Sequence, residues 1–427
     1  MERMESTELY ARAIGVETPW RVREVEMDME GKRIVVRLEV DLGKVKEGGR
    51  YHLHSWEERR WRHLATMQFE TVIEARVPRM EEKESGSTHL VATPWAEEGR
   101  KWTLAFECFC VQVLQATQTL SGACGLLGIG WSTARQMMER AVERGMLRRE
   151  EDEGEVLSLG IDEKSCAKGH EYSTVVSDLK GRRVLEVYHD VTRQASGRDA
   201  MSGRRALEAA LPREAQRRAV QAVAMDMSAA YEASVRMALP AAVVVFDKFH
   251  VVKMLHEAIE KTRRSEAAQM AKQGDASLLK GTRYWWLKGL DKLSNEVRVK
   301  FEALRRENLR TSKAWNLKED FMPFWQQENS SKALEWFNAW SEEVAKSKVP
   351  SMLKVARSLK RHLPGLLAFF THPISNAMAE GFNSKIQVIK SSARGFRNPK
   401  NWRIAILFHM GKLHLSPYHP HLSSQAV

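Results

Sequence analysis

The sequence predicts an α/β protein of several domains. It should contain a mixed sheet flanked by helices, an all-α insertion, a helix-turn-helix and a small β-rich N-terminal domain. Three observations predict this. Three apolar runs of strand length each close on a carboxylate: VLSLGID (156–162), AVQAVAMD (219–226) and AAVVVFD (241–247). Two earlier segments, RIVVRLEV (33–40) and TVIEARV (71–77), alternate as half-buried strands do. From about residue 251 to 370 every signal is helical. At 427 residues the chain is too long for one ordinary core.

The β-rich domain is expected over residues 1–98. Between its two alternating segments lies HLHSWEERRWRHL (52–64), in which His52, His54 and His63 raise a metal site as one reading. Contact with nucleic acid through Arg59, Arg60, Trp61 and Arg62 is a second reading, and a solvated charged face a third. Residues 99–150 read as helix, Gly-containing turn and helix. The second helix begins at an N-capping Ser132 and should turn Thr133, Arg135, Gln136, Arg140 and Arg144 outward toward a DNA major groove. Met137, Met138 and Ala141 should pack inward. The acidic run 149–155 marks a boundary.

Residues 151–250 then follow the order β-β-β-α-β-α-β, with helices stopped by Pro212 and Pro240. The helical block 251–370 carries Trp285, Trp286, Trp315, Trp325, Trp336 and Trp340 among lysines and arginines, mostly as core. The segment 371–427 is expected to return to the sheet.

Composition narrows the functional classes. Lys+Arg 67 against Asp+Glu 55 leaves a charge of +12, which favours a polyanionic partner. No stretch approaches the roughly 20 apolar residues of a membrane span. The charged start MERMESTELY is no secretory signal, so a cytoplasmic, nucleoid-associated protein is expected. Cys108, Cys110, Cys124 and Cys166 form no C-x-x-C pair and read as buried free thiols.

The chemistry lies in the acids. A carboxylate at the end of a buried strand is rigidly held yet faces the open rim of the sheet. Asp162 and Asp226 should be neighbours there, where their repulsion calls for a cation. Mg²⁺ suits such oxygen ligands. A third acid is found in ISNAMAEGFNSKIQVIK (374–390), where Asn376, Glu380, Asn383, Gln387 and Lys390 share a polar helical face. An ordinary amphipathic surface helix would show the same pattern. That polar face continues into Lys385, Lys390, Arg394 and Arg397, candidates for DNA phosphates. The acids are 64 and then 154 residues apart, so the helical block must be inserted before the third.

GIDEKSCAKGHEYSTVVSDL (160–179), VAMDMSAAYEASVRMALPAAVVVFDKFHVVK (223–253) and ISNAMAEGFNSKIQVIKSSARGFRNPKNWRIAILFH (374–409) resemble the catalytic blocks of the ISL-three family of bacterial insertion-sequence transposases, of the DDE class. WRHL, ARVPRM, TPWAEEGRKWTLAFE and KGTRYWWLK extend the resemblance over nearly the whole chain. It implies an RNase H-like core interrupted by the all-α insertion, with metal-dependent cleavage at insertion-sequence ends and strand transfer into target DNA. Asp162, Asp226 and Glu380 would hold two Mg²⁺ or Mn²⁺ ions, with Asp247 and His250 supporting them. It also implies double-stranded DNA partners (terminal inverted repeats and target) and a homo-oligomer in the synaptic complex. In one respect this chain departs from the family: GGRYHLHSW and MEEKESG stand where relatives carry paired cysteines, so a structural zinc is expected to be lost. The rival readings are a catalytically inactive, repressor-like DNA-binding protein and an RNase H-like nuclease such as a junction resolvase.

Overall fold

The computed structural model describes residues 5–46, 49–117, 119–152, 154–165, 172–190, 199–273, 278–288, 292–307, 309–374 and 377–418; side chains at 150–152 and 377–380 are outside the description. Two compact units result. One comprises residues 1–152 together with 413–427, the other residues 153–412.

The first unit holds strands β1 (Trp20–Asp28), β2 (Arg33–Val40), β3 (Tyr51–Arg62), β4 (Glu70–Glu82) and β5 (Thr88–Leu90) in the order β1-β2-β4-β3, with β5 also on β4. Its inner face packs Trp20, Ile34, Val36, Leu38, Trp61, Ile73 and Val77 around Trp95, with Trp20 and Trp61 set edge-on to Trp95. The outer face is a lattice of paired charges. Arg37 bonds Glu24 at 3.1 Å and Glu26 at 2.7 Å, and Glu74 lies 3.5 Å from Arg37 and 2.8 Å from Arg60. The charged segment around residues 52–62 is thus a twelve-residue strand, β3, paired along β4. Its alternation is hidden because one side is made of charges and histidines rather than apolar residues.

Helices Leu104–Ala116, Leu120–Leu127 and Trp131–Asp152 follow. Thr103 and Thr119 cap the first two, accepting from the amides of Phe106 and Gly122. Gly128, at φ 61, ends the second helix in the left-handed region and makes the turn. The third helix begins at Trp131, one residue before the expected cap Ser132. Met137, Met138 and Ala141 are buried as their spacing requires. Arg140 and Arg144, expected to face outward, point inward instead. Both pair with Glu97, and Arg144 bonds the buried Glu107 at 2.6 Å.

Residues from Leu413 onward belong to this unit and not to the one holding the second sheet, where they were expected. Arg144 donates to the carbonyl of Leu415, and Arg148 to those of His414, Ser416 and Tyr418. A β-carbon on Gly145 would lie 2.6 Å from Leu413 Cβ, so only glycine lets the tail lie this close to the helix.

The second unit contains β6 (Ser158–Ser165), β7 (Tyr172–Asp178), β8 (Arg183–Tyr188), β9 (Ala222–Met225) and β10 (Val243–Phe246) in the order β10-β9-β6-β7-β8. The β6-β7-β8 meander is antiparallel, whereas β9 and β10 lie parallel to β6. Helices Ala200–Ala210 and Ala229–Ala238 make the crossovers. Asp178 folds the β7–β8 turn by accepting from the Gly181 amide.

Helix Lys248–Lys272 leads into the helical block, whose core is continuous with that of the sheet from Leu159 to Leu366. Trp286, Trp315, Trp325 and Trp340 are buried in it, while Trp336 is 37% exposed. The buried Glu266 caps helix Arg310–Phe321 from outside, accepting from the amides of Arg310 and Thr311.

Candidate catalytic site

The strand register brings the three expected aspartates together. Gly160 pairs with Ala224 and Phe246 with Met225, so Asp162, Asp226 and Asp247 stand at the same edge of neighbouring strands β6, β9 and β10. Asp226 and Asp247 each follow the last residue of their strand. Asp162 differs from the expectation: it lies inside β6, because the hairpin with β7 continues to Ser165 after the parallel pairing with β9 has stopped. Asp226 and Asp247 are buried at 8% and 6% exposure, a costly place for like charges unless something neutralises them.

Asp247 serves two neighbours. One carboxylate oxygen caps helix Lys248–Lys272 through the Phe249 amide, and the other lies 3.1 Å from His250 Nδ1. His250 Nε2 then lies 3.9 Å from Asp226 Oδ2. The hydrogen bond to Asp247 raises the His250 pKa against the opposing effect of burial, and the charges of Asp226, Asp247 and Asp162 add to the rise. This stretch of sequence therefore places a histidine between two acids, held by the first turn of a helix.

The third acid comes from the chain's far end. Helix Ala377–Ser392 carries Glu380, whose side chain is outside the described residues, as is all of Asn376. One turn after Glu380, the Asn383 amide donates to Asp162 Oδ2 at 2.9 Å. Another seven residues on, Lys390 Nζ donates to the Ser165 carbonyl at 2.7 Å. The polar face of this helix is thus laid against β6. Lys390 acts as a fastener there, while Lys385, Arg394 and Arg397 are exposed. Arg403 on helix Pro399–Met410 makes two bonds of 2.6 and 2.7 Å with the buried Glu186 of β8. Asn383 stood in the polar stripe without a role, and Lys164 and Glu186 drew no attention in the sequence. The signal for Asn383 was its place one turn from Glu380.

Among the described residues, no three acids, histidines or cysteines are gathered closely enough to hold a metal ion as they stand. The donor set still fits a hard divalent cation: carboxylates on adjacent strand ends, with the Glu380-bearing helix fastened at Asp162. No described helix is long and apolar enough to cross a membrane.

The candidate DNA contacts of the first unit separate into two groups. Arg135 and Gln136 are exposed on the third helix. Arg59 is bound to Glu57, Arg60 to Glu74 and Arg62 to Glu70, and the Arg62 guanidinium lies over the Phe106 ring. Trp61, expected among the nucleic-acid contacts, is 1% exposed and belongs to the core. Arg140 and Arg144 are committed to Glu97 and Glu107 and leave the set of DNA-facing residues.

Comparison with known proteins identifies the family. A family model described as transposase matches residues 159–406. A transposase for insertion sequence element IS1001 from Bordetella parapertussis is 29% identical over 356 residues, which is 83% of this chain and 85% of the relative. A transposase for insertion sequence element IS1557 from Mycobacterium tuberculosis (strain H37Rv) is 27% identical over 433 residues, covering 93% of this chain and 94% of the relative. A second model, a zinc-finger of transposases, matches residues 48–81.

That stretch contains no cysteine. Its histidines are separately engaged: His52 with Glu81, His54 with Ser55, and the buried His63 with Thr103. The residues present do not fit a zinc site of the ribbon type. The transposase model covers more than half of the chain: this protein is a member of the ISL-three family of insertion-sequence transposases.

Proposed function

We propose that the protein is a DDE transposase in which Asp162, Asp226 and Glu380 hold two Mg²⁺ or Mn²⁺ ions to cut insertion-sequence ends and join them to target DNA. The carrying observation is the set of aspartates on adjacent parallel strands, with the Glu380-bearing helix fastened at Asp162. When bound, the ions supply Lewis acidity for in-line phosphodiester displacement. The chain's own residues prepare for it. Asp162 and Asp226 are fixed by the sheet, and the Asn383 amide holds Asp162 Oδ2 in place. Asp247 aims His250 at Asp226 and so supports the pair.

The exposed Lys385, Arg394 and Arg397 offer positive charge to DNA phosphates beyond this helix. Arg135 and Gln136 are the side chains suited to base edges in a major groove. The partners on this reading are double-stranded terminal inverted repeats and target DNA, brought together by a homo-oligomer. Retention of both strand acids and the helix glutamate speaks for catalysis and against a silent repressor. The experiment is a nicking and strand-transfer assay with Asp226→Asn. Loss of both reactions with DNA binding intact supports the reading; normal cleavage in Mg²⁺ ends it.

The N-terminal sheet is proposed to fold without zinc, on its tryptophan core and charge lattice. Elemental analysis of the purified protein should find no stoichiometric zinc. A chelator-induced loss of the unit's fold would contradict this.

A further inference from the structure

Lys164 lies two residues beyond Asp162 on β6, so both side chains leave the same face of the strand. Its Nζ is 3.0 Å from Asp162 Oδ2, the oxygen that also accepts the Asn383 amide at 2.9 Å. Oδ1 accepts the amide of Glu163 at 2.7 Å. Two donors of different kinds therefore meet on one carboxylate oxygen: a charged ammonium from the strand and a neutral amide from the helix.

The amide belongs to a longer seam. From Asn383 to Lys390 the helix rises by about 10.5 Å. From Asp162 to Ser165 the strand rises by about 10 Å. Helix and strand thus run side by side in the same direction, bonded at both ends of the match. Asn383 fixes where the helix sits, whatever the charge on Asp162. Lys164 contributes nothing to that seam; it brings one positive charge to a corner shared with Asp226 and Asp247.

Starting from the proposed metal site, we infer that Lys164 is a resident counter-ion. It holds Asp162 in the metal-free protein and must release Oδ2 before a divalent ion can bind. Asn383 is a positioning residue that stays in place throughout. The two donors then have opposite effects on metal affinity: Lys164 competes with the ion and Asn383 assists it. The Lys164 and Asp162 side chains are 27% and 20% exposed. Partly exposed pairs of this kind shift an equilibrium by up to about fivefold. Removing a partner that orients a metal ligand commonly costs about tenfold or more in affinity.

The test is Mn²⁺ titration of the full-length protein without DNA, read by electron paramagnetic resonance or calorimetry. Lys164→Met should tighten Mn²⁺ binding about three- to fivefold. Asn383→Leu should weaken it about tenfold. Unchanged affinity in Lys164→Met, or a change of the same sign in both variants, overturns the inference. Lys164→Arg retains the charge, so it should bind Mn²⁺ no more tightly than wild type; tighter binding by this variant also overturns the inference. Asp162→Asn separates the two levels. If it binds Mn²⁺ as wild type does, the metal site itself is misassigned. If it weakens binding while Lys164→Met changes nothing, only the counter-ion role fails.

Discussion

The two sheets of this protein treat charge in opposite ways. On the outer face of the N-terminal sheet a row of alternating sign crosses four strands: Glu24, Arg37, Glu74 and Arg60 stand on successive strands and bond to one another. At the edge of the second sheet, Asp162, Asp226 and Asp247 occupy three successive strands with the same sign. Alternating charge satisfies itself and builds a surface. Accumulated like charge is unfavourable by itself and marks where an external cation belongs. On the function proposed above, the first sheet is architecture and the second carries the chemistry.

The largest effect should come from disturbing the like-charged edge. Asp226→Asn should lower single-turnover cleavage and strand transfer by on the order of a thousandfold or more. Its DNA affinity and circular dichroism should be unchanged. A variant that keeps a tenth of the wild-type rate would erase the distinction between the sheets.

Next in size is a buried pair. Glu107 is 1% exposed and accepts from Trp102 Nε1 at 2.7 Å as well as from Arg144. Glu107→Ala leaves the largely covered Arg144 without that partner, and Trp102 Nε1 without its acceptor, and should cost the first unit about 3–5 kcal/mol, read by chemical denaturation. A loss below about 1 kcal/mol would make this pair equivalent to a surface one.

A pH effect of similar size separates the units. Burial lowers the His63 pKa from 6.5 to about 4. Its neutral form is therefore favoured in the folded unit, and protonation favours the unfolded chain. Stability is full above pH 6.5 and falls as the pH drops toward 4, by up to about 3 kcal/mol. His63→Gln should flatten that slope; an unchanged slope assigns it to other groups. The smallest effect belongs to the lattice itself. Glu74→Gln should change stability by no more than about 1 kcal/mol, because exposed ion pairs contribute little one at a time.

Much of the second unit could be read in the sequence because apolar strands ending in acids are local signals. The order of elements along the chain follows from that pattern; the adjacency of Asp162 and Asp226 follows only once an RNase H-like sheet is assumed. β3 was concealed because its outer side is held by charges, which read as a solvated segment. Arg140 and Arg144 were misoriented for a related reason. They share a stripe with Met137 and Ala141, but arginines are assigned to solvent unless a buried partner is known. That partner, Glu107, lies 37 residues before Arg144. The bond from Asn383 to Asp162 spans 221 residues, which no local periodicity reports. The tail after Leu413 has backbone carbonyls as its partners, and these leave no trace in side-chain pattern.

The path of the chain has a consequence for biosynthesis. The helix that carries Arg135 and Gln136 is covered by residues translated more than 260 positions later, through Arg148 and the carbonyls of His414 and Ser416. During synthesis the ribosome delivers the whole of residues 153–412 before that covering can form. The first unit, begun before the second, is thus completed only after the whole of the second has been made.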